Sequence, residues 1–224
     1  MYAQALAANT FGDSFTKKYT TYKIPKMGPE PFYPFVFNDI RGLHPHKGVL
    51  VNDVKLAMMG HVKEGYMFSP ESTLTDLRPN AFYNEHQTDN DKVHILVCVV
   101  PANTGSQVIE KTVQKIREIR EEATELGIPQ VAILTRIDEA CPEIKDDLKN
   151  VYKIKYLKGK MEQFSVDVGI PMNCIFPVKN YHKEIDLNSD IDSLILSSMK
   201  SIINFGDDFI KFHKSQSDAS VAYA

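Results

Sequence analysis

Apolar residues follow two different rhythms along this chain, and the rhythms alternate. "KVHILVCVVPAN" (92–103) and "PQVAILTRID" (129–138) are continuous, β-branched runs, which predict strands covered on both faces, as central strands of a parallel sheet are. Between them, "QVIEKTVQKIREIREEATELGI" (107–128) sets Val108, Val113, Ile116 and Ile119 near helical spacing, with Gly127 as its stop. Upstream, "FTKKYTTYKI" (15–24) alternates polar and bulky residues and predicts a half-exposed strand, which the prolines and glycine of "PKMGPEP" (25–31) end. "YPFVFNDIRG" (33–42) predicts a buried strand entering a loop, and "GVLVNDVKLAMMGHVKEG" (48–65) a helix. Residues 66–91 read as an ordered connection, longer than such connections usually are.

Downstream, Cys141-Pro142-Glu143 opens a further helix with proline in its first turn. Residues 156–170 predict a helix, 172–181 the last strand and 191–212 the closing helix. Strands alternating with helices predict an α/β three-layer sheet with helices on both faces. The expected organisation is an arm or residual helix over 1–14, one α/β domain over 15–213, and a disordered tail over 214–224.

Composition narrows the partners. A net charge of -3 gives no long-range pull towards a phosphate backbone, so no nucleic-acid partner is expected. Cys98, Cys141 and Cys174 are odd in number and widely spaced, which fits neither a disulfide framework nor a paired zinc pattern and points to a reducing compartment. No run approaches the ~20 apolar residues of a membrane span and the start lacks a signal-peptide profile. No membrane insertion and a cytoplasmic location are therefore expected.

Two short motifs fall at the ends of predicted strands. Asp39-Ile40-Arg41-Gly42 is an Asp-x-x-Gly; in nucleotide switches such an aspartate holds magnesium through water, and the glycine N–H meets the terminal phosphate at close backbone approach. Thr135-Arg136-Ile137-Asp138 follows the second apolar run. A guanine ring offers two N–H donors on one edge, and one carboxylate accepting both forms a bidentate pair that rejects adenine. The Arg136 guanidinium is suited to lie over the purine face. Read alone, these four residues also describe a solvated loop whose aspartate caps a helix. Both motifs in this order, at the strand ends where open α/β sheets bind ligands, favour the nucleotide. Phe176-Pro177-Val178-Lys179-Asn180 follows the last strand, where a loop would back the guanine ring.

Other groupings carry less. His44 and His46 have no third ligand nearby and read as solvated, and Lys153, Lys155, Lys158 and Lys160 read as a solvated helix face. No Ser-His-Asp or Cys-His arrangement has local support, so no catalytic residue is assigned.

"SFTKKYTTYKIPK", "PFVFNDIRGL", "GHVKEGYMFSPES", "DKVHILVCVVPAN", "ILTRIDEACPEI" and "FPVKNYHKEI" together resemble the GTPase-like domain of the interferon-induced protein 44-like proteins of vertebrates, over about Ser14 to Phe212. The resemblance implies a P-loop GTPase-like fold and a cytoplasmic, interferon-inducible protein of innate antiviral immunity. It carries over Asp39 and Gly42 as the magnesium and phosphate motif, with Asp39 as the metal residue, and Thr135, Arg136 and Asp138 as the guanine motif. GTP and magnesium are the implied cofactors. Thr16, Thr20 and Thr21 are all open as the switch threonine, and Arg41 stands where such proteins often have a less polar residue.

One part of that pattern is missing. No Gly-x-x-x-x-Gly-Lys-Ser/Thr occurs in these residues, and only a glycine-rich turn of that kind points its N–H groups at phosphate while its lysine neutralises charge. The expectation is a sheet without its first strand, P-loop and first helix. Four lost hydrogen bonds to phosphate amount to about 6 to 12 kcal/mol, or roughly four to nine powers of ten in affinity. Tight GTP binding and active hydrolysis are therefore not expected of this chain. The other reading is a non-catalytic module for protein partners or self-association in the same antiviral setting, or a fragment of a longer gene product. A gap in the sheet would either bring the strands at 33–42 and 92–100 together or leave two apolar edges open to association.

Overall fold

The computed structural model describes residues 16–44, 47–76, 79–103, 106–182 and 184–222. The arm expected over 1–14 lies outside them, as does His46. The chain forms two compact units that meet in sequence at Val93 and His94, where one domain over 15–213 was expected.

The unit up to Val93 begins with β1 (Thr20–Pro25) and β2 (Phe32–Asp39), an antiparallel pair in which Thr20 faces Asp39 and Tyr22 faces Phe37. Helix α1 (Val51–Met58) follows, and Met59 and a left-handed Gly60 end it well short of the expected residue 65. Gly60 cannot be replaced cheaply, because a Cβ there would come 2.9 Å from the Asp91 carbonyl carbon. Val54, Ala57 and Met58 of α1 are buried, with Tyr19, Val49, Tyr66, Phe68 and Leu74 also in this unit's core.

The connection over 66–91 is pinned from inside. Asp53, 0% exposed, accepts the Tyr66 hydroxyl at 3.0 Å and the Leu74 N–H at 2.8 Å. A buried carboxylate without such donors would be strongly unfavourable. Burial raises the Asp53 pKa, and the two donated hydrogen bonds partly offset that. Farther along, the Asn84 amide donates to the Gly60 carbonyl at 3.1 Å, and His61 stacks on Tyr83 at 5.0 Å between ring centres.

From His94 on, β3 (Leu96–Pro101), β4 (Gln130–Thr135) and β5 (Ile175–Pro177) form a parallel sheet in the order β3-β4-β5. Helix α2 (Ser106–Glu125) connects the first two strands and buries Val113, Ile116, Ile119 and Ala123. Short helices α3 (Ile137–Ala140) and α4 (Pro142–Asp146) precede α5 (Lys155–Val168), which buries Leu157, Met161 and Val168. Arg117 and Arg120 on α2 donate to the Asp167 and Val168 carbonyls. Two cations thus sit at the C-terminus of α5, where the helix dipole favours them. Gly169 caps that helix in the left-handed region at φ 75°, and a Cβ on it would lie 2.5 Å from Arg120 Nη1.

Three strand expectations change. β2 is exposed or half-exposed throughout, not buried, because among the described strands only β1 pairs with it. Among the described strands β3 is at an edge, not central: β4 alone pairs with it there, and Val99 remains 61% exposed. The described strands thus form two separate sheets instead of one. At the C-terminus, α6 (Ser189–Ala222) takes in most of the tail expected to be disordered from 214. No glycine or proline occurs between His213 and Ala222 to stop it.

Candidate functional site

The C-terminal edge of the parallel sheet is set by register. Pro101 lies opposite Thr135, and Leu134 opposite Pro177. Past those pairs the Thr135 carbonyl accepts the Ala102 N–H at 2.8 Å and the Leu134 carbonyl accepts the Val178 N–H at 2.8 Å. The segment after β4 is therefore flanked by the ends of β3 and β5. Thr135 is the last residue of β4, and the stretch Phe176–Asn180 emerges beside it.

Arg136 departs from regular backbone. At φ 56° it is the one non-glycine residue with positive φ among the described residues. The left-handed region costs an ordinary L-residue roughly 1–2 kcal/mol, so an arginine there gives up stability that glycine would keep. The turn it makes starts α3, with the Arg136 carbonyl accepting the Glu139 and Ala140 N–H groups at 3.2 and 3.1 Å. Asp138 follows in the first turn of α3, not on the strand. Its carboxylate is half-buried, and no hydrogen bond or ion pair engages it among the described residues. Backbone held in a sparsely populated region clusters at ligand-binding turns.

Two neighbours of this turn escaped the sequence reading. Glu139 Oε2 accepts the Asn103 amide at 2.6 Å and lies 3.6 Å from Arg136 Nη1. Asn103 stands just past the end of β3, and 36 residues separate it from Glu139, so no local pattern announces the pair. On the other side of the edge, Lys179 is ion-paired to Glu184 at 2.7 Å.

Asp39 and Gly42 belong to the other unit. Asp39 closes β2 and is half-buried, and its Oδ2 accepts the Thr16 hydroxyl at 2.9 Å. Thr20 instead donates to the Lys18 carbonyl at 3.5 Å, and Thr21 to Asn38 Oδ1 at 2.9 Å. Of the three open threonines, Thr16 is thus the one joined to Asp39. Gly42 is exposed, and its carbonyl accepts the Val49 N–H at 3.2 Å. Arg41 donates from Nη1 to the Phe68 carbonyl at 2.9 Å, which ties this loop to the connection over 66–91. Gly48 is required here, since a Cβ would come 2.4 Å from the His44 carbonyl oxygen.

The candidate residues therefore fall into two sets, one per unit. Asp138 and Arg136 place a carboxylate and a guanidinium at the turn after β4. Thr16 and Asp39 offer a hydroxyl and a carboxylate of the kind that hard cations take. His44 Nδ1 accepts the Lys47 N–H at 3.3 Å, and no group of three or more metal-ligating residues occurs among the described residues. Lys153, Lys155, Lys158 and Lys160 are exposed; Lys158 pairs with Glu162 at 3.4 Å and Lys160 lies 5.7 Å from the Tyr156 ring centre. No described helix is long and apolar enough to cross a membrane.

Sequence comparison finds relatives. The chain is 30% identical to mouse (Mus musculus) interferon-induced protein 44 over 199 residues, which cover 89% of this chain and 47% of that protein. It is 29% identical to the human (Homo sapiens) interferon-induced protein 44 over 210 residues, 93% of this chain and 46% of the relative. Identity to human interferon-induced protein 44-like is 24% over 200 residues, 88% of this chain and 44% of the relative. The chain therefore spans about half the length of these curated relatives. No family model and no solved structure matches it.

Proposed function

We propose that this chain, a homologue of the interferon-induced protein 44 and 44-like proteins, is the base-reading part of an interferon-inducible, GTPase-like switch of antiviral innate immunity that works in the cytoplasm. Asp138 would accept the two N–H donors of guanine, and the Arg136 guanidinium would lie on the ring face. In the other unit, taken by itself, Asp39 with Thr16 would supply a carboxylate and a hydroxyl suited to a magnesium ion, and Gly42 a glycine suited to close backbone approach by phosphate. A bound magnesium ion would neutralise phosphate charge. The observation that carries this reading is the left-handed Arg136 followed by the half-buried, unengaged Asp138 at the C-terminal edge of β4. Glycine would serve a turn alone better, so what the arginine side chain does is the reason to keep it there.

The GTPase-like fold this reading implies carries its phosphate-binding loop on a further strand. The 224 residues contain no Gly-x-x-x-x-Gly-Lys-Ser/Thr, so these residues alone should hold a base and hydrolyse nothing. One charge-assisted bidentate pair plus a stacked guanidinium supports affinity on the order of millimolar. Titration with GMP and AMP, followed by amide NMR, tests this. GMP should shift the amides of 134–139 at millimolar concentrations and AMP should not; equal shifts for both, or none, would sink the reading.

A second reading has its own observation. β3 is apolar and paired on one side only, and Phe32, Tyr33 and Val36 of β2 are exposed. Open edges of this kind template association, which supports a self-assembly or protein-interaction module. Sedimentation across a concentration series separates the two readings: a chain that stays monomeric at high concentration contradicts the second.

A further inference from the structure

The edge that would read the base contains a brace the nucleotide motif does not include. One oxygen of Glu139, Oε2, takes the Asn103 amide at 2.6 Å and faces Arg136 Nη1 at 3.6 Å. Asn103 comes from the end of β3 and Arg136 from the end of β4, so a single carboxylate spans two strand ends. The Arg136 side chain is 28% exposed and Glu139 51%. The pair thus lies where a ligand can reach the guanidinium yet part of it is already covered.

An arginine has ~2 kcal/mol of rotamer entropy, and a stacking platform loses affinity in proportion to how much of that must be frozen on binding. A carboxylate held by a second strand lowers that cost by restricting the guanidinium beforehand. Pairing Glu139 also partly neutralises its charge, which leaves Asp138 as the carboxylate open to a ligand's N–H groups. We infer that Glu139, anchored by Asn103, is a positioning residue that orients the Arg136 guanidinium as a platform for a purine base. The inference rests on the nucleotide reading of this edge and adds to it which neighbours make the platform rigid.

Stacking does not distinguish purines, whereas hydrogen bonding by Asp138 does. Loss of the brace therefore weakens GMP without changing which base is preferred. An exposed pair of this sort is worth little energetically, so Glu139→Gln should weaken GMP by about two- to fivefold. Gln keeps the shape and can still accept the Asn103 amide, so the thermal unfolding midpoint should hold. Asn103→Ala should give part of the same loss.

The decisive experiment is a double-mutant cycle read by GMP titration on the full chain: wild type, Glu139→Gln, Arg136→Ala and both together. The expected result is that Glu139→Gln costs GMP affinity only while Arg136 is present, with AMP still producing no shifts. An equal loss in the Arg136→Ala background would show that Glu139 acts on folding or charge alone and would overturn the inference. So would wild-type affinity in Glu139→Gln. Absence of any GMP response in the wild type would instead overturn the nucleotide reading, and the platform with it.

Discussion

β4 and β2 are both bulky, β-rich runs that end at a candidate nucleotide motif, yet they have opposite surroundings. β4 has a strand hydrogen-bonded on each side, and Val131, Ala132 and Leu134 are buried. β2 pairs with β1 alone, and Phe32, Tyr33 and Val36 are exposed. The turn after β4 is consequently locked between two neighbouring strand ends, strong enough to keep an arginine in the left-handed region. The loop after β2 is held by hydrogen bonds that include those of Thr16, Arg41 and Val49. A motif on a strand paired on both sides is preorganised; the same kind of motif on a two-stranded ribbon depends on its local fastenings.

The largest break in that contrast comes from the fastening deepest in the first unit. Asp53→Ala leaves the Tyr66 hydroxyl and the Leu74 N–H without their acceptor in the core, at about 1–3 kcal/mol for each group. Urea unfolding should show that unit losing its cooperative transition first. Next comes Gly169→Ala in the second unit. Positive φ and the close approach of Arg120 both oppose a Cβ, so a loss of about 1–3 kcal/mol is expected, measured as a lower urea midpoint for the sheet-bearing unit.

A smaller effect sharpens the comparison through pH. Burial raises the Asp53 pKa above its usual 3.8. The folded form then holds that proton more tightly than the unfolded chain, so this group's contribution to stability grows as pH falls from neutral towards 3.8 and is lost as pH rises through the raised value. Asp76 and Asp91 have the opposite sign, because N–H and hydroxyl donors of Thr73 and Thr88 lower their pKa values. Their stabilisation is present above the ordinary carboxylate range and lost as pH falls through the lowered values. Subtracting the pH profile of Asp53→Asn from that of wild type isolates the buried group; a flat difference contradicts its raised pKa.

The least energetic change addresses the open edge. Val99→Lys places a charge on an exposed β3 position, which should change stability by less than about 0.5 kcal/mol while reducing any self-association seen by sedimentation.

Much of this was legible in the chain. The period of α2 and the run of β4 give those elements nearly to their ends, and Gly127 and Gly169 adopt positive φ just past α2 and α5. β3 was misplaced because its pattern is that of a central strand; apolarity on two faces reports what a strand is suited to meet, not whether a second neighbour is present. Among the candidate residues, Asp39, Gly42, Thr135, Arg136 and Asp138 are marked by their spacing in the sequence. Glu139 and Asn103 could not, since their contact depends on the register of β3 against β4. Nor could Thr16 be separated from Thr20 and Thr21, which differ only in which side chain or carbonyl each one reaches.

The central claim is that the Asp138 carboxylate chooses the base. Guanine carries an amino group at C2 where xanthine carries a carbonyl, so Asp138→Asn exchanges an acceptor for a donor at that edge. In a titration with GMP and XMP followed at residues 134–139, wild type should prefer GMP, and Asp138→Asn should reverse the preference with its fold intact. An unchanged preference in a folded Asp138→Asn chain would contradict the account.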